Sequence, residues 1–567
     1  MSTLREILQV RLASVLGQCG FNPSDASISP ASDPRFGDYQ SNVAMVLAKK
    51  EKTNPRELAT RLAGAFECGG VTEPPVVAGA GFLNFRVTQD ALGDCLARMS
   101  AGERYGLEPT PSPLKILVDF SSPNVAKPMH VGHIRSTILG DCLARVARFV
   151  GHRVVTDNHI GDWGTQFGKV IYGWKHLLDS AALESDPIAE LVRLYRSVTA
   201  LEVSDSAVTA AAREELVKLQ AGDPGNLEIW KRCVELSWSE FEKLYAALDI
   251  SFDERLGESA YHEALAPLCE KLATMGLAET SEGALCVFFR DLPELADKPA
   301  LIRKADGGFL YATTDLATLE YRAQRWNPDE IWYVVGAPQT LHFRQIFEAA
   351  RKMGVRAHLR HIAFGSILGE DRKIMKTRSG ENIGLSEVLE EAVHRARAIV
   401  SQKNAELPGN EQEVIARTIG IGAVKYAELS QHRMTDYVFA WDKLLAFQGN
   451  TAPYLQNAYV RIRSIFRKAD GENASSPSLE APEERALAMQ LARYPETIPL
   501  VLEEFRPNLL ANYLFELANH FHAFYEACPV LKAEPGTRSG RLALCHLTSR
   551  VLTHGLNLMG IRCPERM

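Results

Sequence analysis

Residues 115 to 150 leave little freedom of fold, because a buried strand, a turn-rich loop and an apolar-periodic helix follow one another without a gap. Lys115-Ile-Leu-Val-Asp-Phe120 reads as a strand buried on both faces. Pro123 and Pro128 forbid helix until the loop is complete. From Val131 to Phe149 the apolar residues recur at helical spacing, so His130 and His133 stand at a helix start. There the unpaired backbone N–H groups and the helix dipole favour an anion. Imidazoles at i and i+3 share a face, and Gly132 between them leaves room for a flat ring to lie against the backbone.

Taken alone, His-x-Gly-His is more often a polar helix face or a single capped histidine. The surroundings change that reading. A strand before it, the Ser121-Ser-Pro-Asn124 loop, Lys127 three residues upstream of His130, and Arg135 and Asp141 beyond it make a constellation that core packing does not require. It suits a nucleoside triphosphate, and nucleotidyl transfer is the chemistry it points to.

Further segments are as distinctive: Asn158-His-Ile-Gly-Asp-Trp-Gly-Thr-Gln-Phe-Gly168, Tyr311-Ala-Thr-Thr-Asp315, Gln339-Thr-Leu-His-Phe-Arg-Gln345, Met375-Lys-Thr-Arg-Ser-Gly380, Pro453-Tyr-Leu-Gln456 and Pro564-Glu-Arg-Met567. Together with residues 120 to 141 they resemble the class I aminoacyl-tRNA synthetases, and within them the arginyl-tRNA synthetases, over essentially the whole chain. The resemblance implies attachment of L-arginine to its cognate tRNA(Arg) through arginyl-adenylate. ATP would be consumed, with Mg2+ carried by the phosphates and no protein cage for a metal.

Composition agrees. Ten scattered cysteines with no CxxC pair and no zinc-like spacing suit reduced cytosol, so a cytoplasmic location is expected. No run approaches the roughly 18 apolar residues of a membrane helix, and no membrane partner is expected. A net charge of −7 does not exclude a polyanion, because phosphate contact depends on where lysine and arginine are placed. A monomer is expected.

The expected fold class is α/β, a Rossmann-like doubly wound parallel sheet with a helical insertion, flanked by a small α/β N-terminal domain and an all-α C-terminal domain. The boundaries read as 1–108, 114–405 with the insertion at about 175–300, and 408–567. Gly102 to Pro113 is a proline-rich linker. The parallel sheet is expected to resume at Leu301-Ile-Arg-Lys304. A turn at Asp306-Gly-Gly308 and a second hairpin strand over Phe309–Thr313 should follow, with Thr314 capping the next helix.

By resemblance, the N-terminal domain contacts the outer corner of tRNA near the D-loop and the C-terminal helices bind the anticodon. Arginine recognition needs carboxylates placed for a planar cation. The resemblance gives Tyr311 and Asp315 to the guanidinium and Asn124 and Gln339 to the α-amino and carboxylate end, with Asp119 and Ser121 in the same pocket. His130, His133 and Lys127 are expected to stabilise the transferring phosphoryl group electrostatically as a cationic cradle, with Gly132, Gly161, Asp162 and Met375 against ATP. Where class I enzymes carry Lys-Met-Ser-Lys-Ser, this chain has Ile374-Met-Lys-Thr-Arg-Ser-Gly380, so Thr377 stands where the second lysine belongs. Lys127, helped by Lys376 or Arg378, is expected to supply that charge. Tyr454, Arg461, Arg463 and Met567 are expected against tRNA, although a charge run on a helix is more often a solvated face and an aromatic at helical spacing more often core. A small-molecule adenylyltransferase and an inactive tRNA-binding relative are the rival readings.

Overall fold

The computed structural model describes residues 3–369, 372–373, 383–403, 405–469, 477 and 479–567. Two compact units result. One comprises Ser112–Ile399 with Gly420–Leu444, the other Met1–Pro111 with Val400–Ile419 and Leu445–Met567.

The first unit is built on four parallel strands. β1 (Lys115–Asp119) leads through α1 (Val131–Val150) to β2 (Arg153–Asp157); after the insertion, α2 (Tyr311–Trp326), β3 (Glu330–Tyr333), α3 (Thr340–Lys352) and β4 (His358–His361) complete the sheet. The strand order is β4-β3-β1-β2. The chain leaves β1 towards one edge and returns on its other side, so the strand order reverses at β1 and opens a ligand crevice at the carboxyl ends of β1 and β3. In register, Tyr333, Asp119 and Asp157 stand side by side at those ends.

α1 has 15 of its 20 residues buried, which is the pattern of a helix covered on all sides. It stops at Gly151, whose φ of 111° is the left-handed conformation a glycine adopts freely. Gly140 lets it press onto the end of β1, because a Cβ there would lie 2.2 Å from the Phe120 ring. On the sheet's other face, Leu117, Ile331 and Tyr333 pack with Leu316 and Leu319 of α2 and Phe343 and Ile346 of α3.

The insertion is helical from Gln166 to Thr274 and then forms a separate three-stranded antiparallel sheet, Ala278–Ser281, Ala284–Val287 and Ala300–Arg303. Leu301–Arg303 therefore does not resume the parallel sheet. Nor is Phe309–Thr313 a strand: Phe309 makes an isolated antiparallel bridge to Arg303, and α2 begins at Tyr311 with Leu310, not Thr314, at its N-cap. Buried Thr313, whose β-branched side chain favoured the strand reading, instead donates its hydroxyl to the Ile302 carbonyl and pins the first turn of the helix.

In the second unit the N-terminal sheet and the C-terminal helices belong together. Arg485 grips Asp38 with bonds of 2.8 and 2.7 Å, and the Tyr39 hydroxyl donates to Glu496 at 2.7 Å. The Phe36-Gly-Asp-Tyr-Gln40 segment thus finds a structural role in that grip. No helix among the described residues is long and apolar enough to cross a membrane.

Gly140→Ala should destabilise the first unit by about 1–3 kcal/mol through overpacking on Phe120. Thermal unfolding followed by circular dichroism checks this; an unchanged midpoint would show that the helix can back away from the ring.

Candidate active site

The loop from β1 to α1 is strained. Ser121, Ser122 and Ala126 adopt φ values of 76°, 49° and 59°, a region that costs non-glycine residues energy. Side chains from elsewhere hold them there. Ser121 N–H donates to Ser136 Oγ at 2.9 Å, Ser122 N–H to Asn158 Oδ1 at 3.1 Å and Ala126 N–H to Ser237 Oγ at 3.0 Å. The Ser121 hydroxyl is itself committed, at 2.8 Å from the Tyr245 hydroxyl and accepting from Thr137 at 2.9 Å.

His130 is the N-cap of α1, and its Nδ1 accepts from Gly132 N–H at 3.1 Å. His133 Nδ1 accepts from His130 N–H, also at 3.1 Å, so the two imidazoles close a reciprocal cap. The rings lie 4.0 Å apart. Gly132 is required by this folding back, since a Cβ would stand 2.8 Å from His130 Cε1. Burial drives the His133 pKa down to about 4, with His130 assisting; burial and then Lys127 lower His130. A nitrogen that accepts carries no proton, so each neutral ring holds its hydrogen on Nε2. The imidazoles are therefore neutral N–H donors. The rings are half-buried and 4.0 Å apart, which opposes the charge expected of a cationic cradle.

Lys127 is exposed and its Nζ lies 5.4 Å from the centre of the Tyr195 ring. Asn124, also exposed, pairs through its backbone with Gly161: Val125 N–H donates to Gly161 O and Gly161 N–H to Pro123 O, each at 3.0 Å. A Cβ at 161 would meet Asn124 Oδ1 at 2.3 Å, so the glycine is what lets the asparagine in. Asp162 is buried, its carboxylate accepting from Ser259 N–H at 2.8 Å and Ser259 Oγ at 2.7 Å. Those bonds tie it to the Glu258–Tyr261 turn.

The acidic groups fall into two kinds. Asp119 is buried, with Oδ2 on Arg322 at 2.7 Å and Oδ1 accepting from Ser122 Oγ at 3.1 Å, so the chain's own guanidinium already holds it. Asp315 is only partly buried and lies one turn into α2, on the face of the exposed Tyr311; its Oδ2 is 2.5 Å from His342 Nε2. Gln339 ends the short turn after β3 and is exposed.

Sequence reasoning gave no role to Glu258 or His342. Burial pushes the Glu258 carboxyl up to about 7; His159 opposes the rise, and Asp162 and Asp315 add to it. Glu258 and Asp315, on different elements, therefore act on one another electrostatically. Neither pairs with a lysine or arginine among the described residues. The one signal for Glu258 was Gly257-Glu-Ser259 interrupting a helical stretch. Met375, Lys376, Thr377 and Arg378 lie outside the described residues.

In the second unit, Arg461 lies 5.2 Å from the Tyr525 ring centre on the helix Ala452–Lys468. Arg463 donates to Glu565 at 2.9 Å, and Tyr459 donates to the same carboxylate at 2.9 Å. Tyr454 packs 5.1 Å from His522 and donates to Asn519 at 2.8 Å, which makes it a wall between helices more than a free stacking surface. Met567 is half-buried.

Three family descriptions match the chain: "Arginyl tRNA synthetase N terminal domain" over residues 2–87, "tRNA synthetases class I (R), catalytic domain" over 99–441 and "DALR anticodon binding domain" over 455–567. An arginine–tRNA ligase of Cellvibrio japonicus is 43% identical over the whole of both chains. The solved arginyl-tRNA synthetases of Plasmodium falciparum and Thermus thermophilus superpose with TM-scores of 0.86 and 0.84 at 29% and 28% identity, each covering 100% of both chains.

Nitrogen NMR of the imidazoles should find His130 and His133 as Nε2–H tautomers at neutral pH, with His133 protonating only near pH 4. Because that value lies below the ordinary 6.5, the unfolded chain binds the proton first, and stability falls as pH drops from about 6.5 towards 4. A doubly protonated His133 at pH 6 would overturn the donor assignment.

Proposed function

The chain belongs to the class I arginyl-tRNA synthetases, and from that premise we propose how its residues divide the work. It attaches arginine to tRNA in two steps. The arginine carboxylate attacks the α-phosphorus of ATP and pyrophosphate leaves; a hydroxyl of the tRNA 3′-terminal ribose then attacks the adenylate carbonyl and AMP leaves.

In our reading, the triphosphate lies across the start of α1, where the Nε2–H groups of His130 and His133 join the helix dipole and exposed Lys127 brings a full positive charge. A phosphoryl group in transfer needs such donors more than it needs a base, and none is assigned. Lys127 stands in for the lysine replaced by Thr377, with Lys376 or Arg378 assisting. Mg2+ would come with ATP, held by phosphate oxygens and water.

Arginine's guanidinium is given to Tyr311, Asp315 and Glu258, and its α-amino and carboxylate end to Asn124, Gln339 and Asp119. The observation that carries this reading is the electrostatic influence of Asp315 on Glu258, two carboxyls that form no ion pair with a lysine or arginine among the described residues. Bringing like charges together is unfavourable unless a cation comes between them. Arginine is such a cation, and a ligand lacking the guanidinium would leave Glu258 without a cation and Asp315 with His342 alone. Arg461 and Arg463 meet the tRNA backbone from the second unit. Ten free thiols suit a reducing cytosol, and we take the working form to be a monomer.

Arginine-dependent ATP–pyrophosphate exchange that requires added tRNA is the direct test. An unrelated adenylyltransferase or an inactive relative gives none. With the Glu258 pKa near 7, the ionised fraction of the empty site rises from about 0.1 at pH 6 to about 0.9 at pH 8. The arginine KM should therefore fall roughly tenfold over that range. Glu258→Gln should raise the KM at pH 8 and flatten the profile, whereas a profile that keeps its slope would remove Glu258 from the pocket.

Arg461→Ala should weaken tRNA binding and reduce the slope of log affinity against log salt by about 1, as expected for one lost phosphate contact. Filter binding across a salt series checks it; an unchanged slope would leave this arginine a solvated helix residue.

A further inference from the structure

Arg322 is fully buried, yet it is the centre of the strand ends. Its Nη2 donates to Asp119 Oδ2 at 2.7 Å and to Asp157 Oδ2 at 2.8 Å, and its Nη1 meets the Tyr333 hydroxyl at 3.2 Å. Those partners are the last residues of β1, β2 and β3, in register. Arg322 itself rides on α2, two turns beyond Asp315 and three beyond Tyr311, so all three share one helix face. A planar fork with a permanent charge spreads these three contacts over two nitrogens, where a lysine would have to gather them all at one. Burial alone would lower its pKa, but Asp119, Tyr333 and Asp157 more than reverse that and keep the group charged. Asp157 Oδ1 and Arg322 Nε, both buried, have no partner among the described residues.

We propose that Arg322 is a positioning residue that sets the length of the arginine pocket, locking α2, which carries Tyr311 and Asp315 at the guanidinium end, to the strand end that carries Asp119 at the α-amino end. The inference rests on the pocket assignment made above. Two carboxylates share one internal cation, so the cluster keeps an excess negative charge for the ligand's ammonium group. A substrate one methylene longer or shorter must either leave one end unpaired or stretch a buried ion cluster, and breaking such a cluster is strongly unfavourable. The pocket can then measure chain length with charges at both ends, where an apolar slot distinguishes one methylene only by about 10–200-fold.

The test uses the full chain and tRNA-dependent exchange with arginine and with its homologue bearing one more methylene. Arg322→Lys keeps the charge but not the fork. It should raise the arginine KM about tenfold or more, leave the ATP KM within about twofold, and cut the preference for arginine over the homologue at least about fivefold. Asp157→Asn, which keeps the Asp119–Arg322 bond, should show the same pattern more weakly, and it decides the matter if the lysine variant does not fold. The proposal falls if a folded variant retains both arginine KM and preference. It falls equally if kcat and both KM values worsen together in step with the melting temperature, or if neither variant folds, since each marks Arg322 as structural only. Absence of arginine-dependent exchange in the unaltered enzyme would instead sink the pocket assignment.

Discussion

A guanidinium buried between the last residues of two adjacent parallel strands cannot lose either carboxylate cheaply, because the remaining charge would then be desolvated and unpaired. The Arg322 cluster with Asp119 and Asp157 places that condition at the mouth of the crevice that the sheet topology opens. It ties β1, β2, β3 and α2 together at the level where a ligand must sit. Around it the charges are unequal: the internal cation has two carboxylates, whereas Glu258 and Asp315 form no ion pair with a lysine or arginine among the described residues. The fold thus separates acids that hold the protein together from acids left for an incoming cation. Position along α2 decides which is which: Arg322 reaches inward two turns after Asp315 looks outward.

The phosphate side follows a different electrostatic logic. Each imidazole directs its Nδ1 to a backbone N–H, which completes the helix cap and turns the remaining Nε2–H outward. A charged ring could not accept those bonds, so the capping geometry and the neutral state require one another. Positive potential there comes from the helix start and from Lys127, whose proximity lowers His130 further. Neutral donors have an advantage for this chemistry, because they hold a phosphoryl group in transit without binding the ground-state polyanion as tightly as fixed cations would.

Much of this was legible in the sequence. Pro123, Pro128 and the apolar period after Val131 specify the β1–α1 junction, and α1 runs over the residues that period predicts. Local pattern failed where tertiary partners decided. Phe309–Thr313 looks like a strand because of its aromatic and β-branched residues, yet Thr313 bonds Ile302 and starts a helix. Leu301–Arg303 alternates as a strand should, but alternation cannot say which sheet a strand joins. Glu258 was invisible for a related reason: a lone acid in a helical insertion gains meaning only from Asp315, which lies far along the chain. Asp119 reads in the sequence as an acid for a ligand, and nothing local there shows that a side chain on α2 already holds it.

The strained loop joins the two halves of the site and explains why they must be built together. Ser121, Ser122 and Ala126 would relax towards ordinary backbone conformations if left alone. What prevents this is a set of side chains drawn from both sides: Ser136 from α1, Asn158 from the end of β2, and Ser237 from the insertion. Ser122 also donates to Asp119, so the loop that leads to His130 is fastened to the same carboxylate that Arg322 holds. Rotation of that carboxylate would loosen the loop, and relaxation of the loop would free the carboxylate to turn. The backbone strain is therefore a coupling: it fixes the spacing between the N–H donors at the start of α1 and the acids at the strand ends, and that spacing is what a reaction between a bound carboxylate and a bound α-phosphate requires.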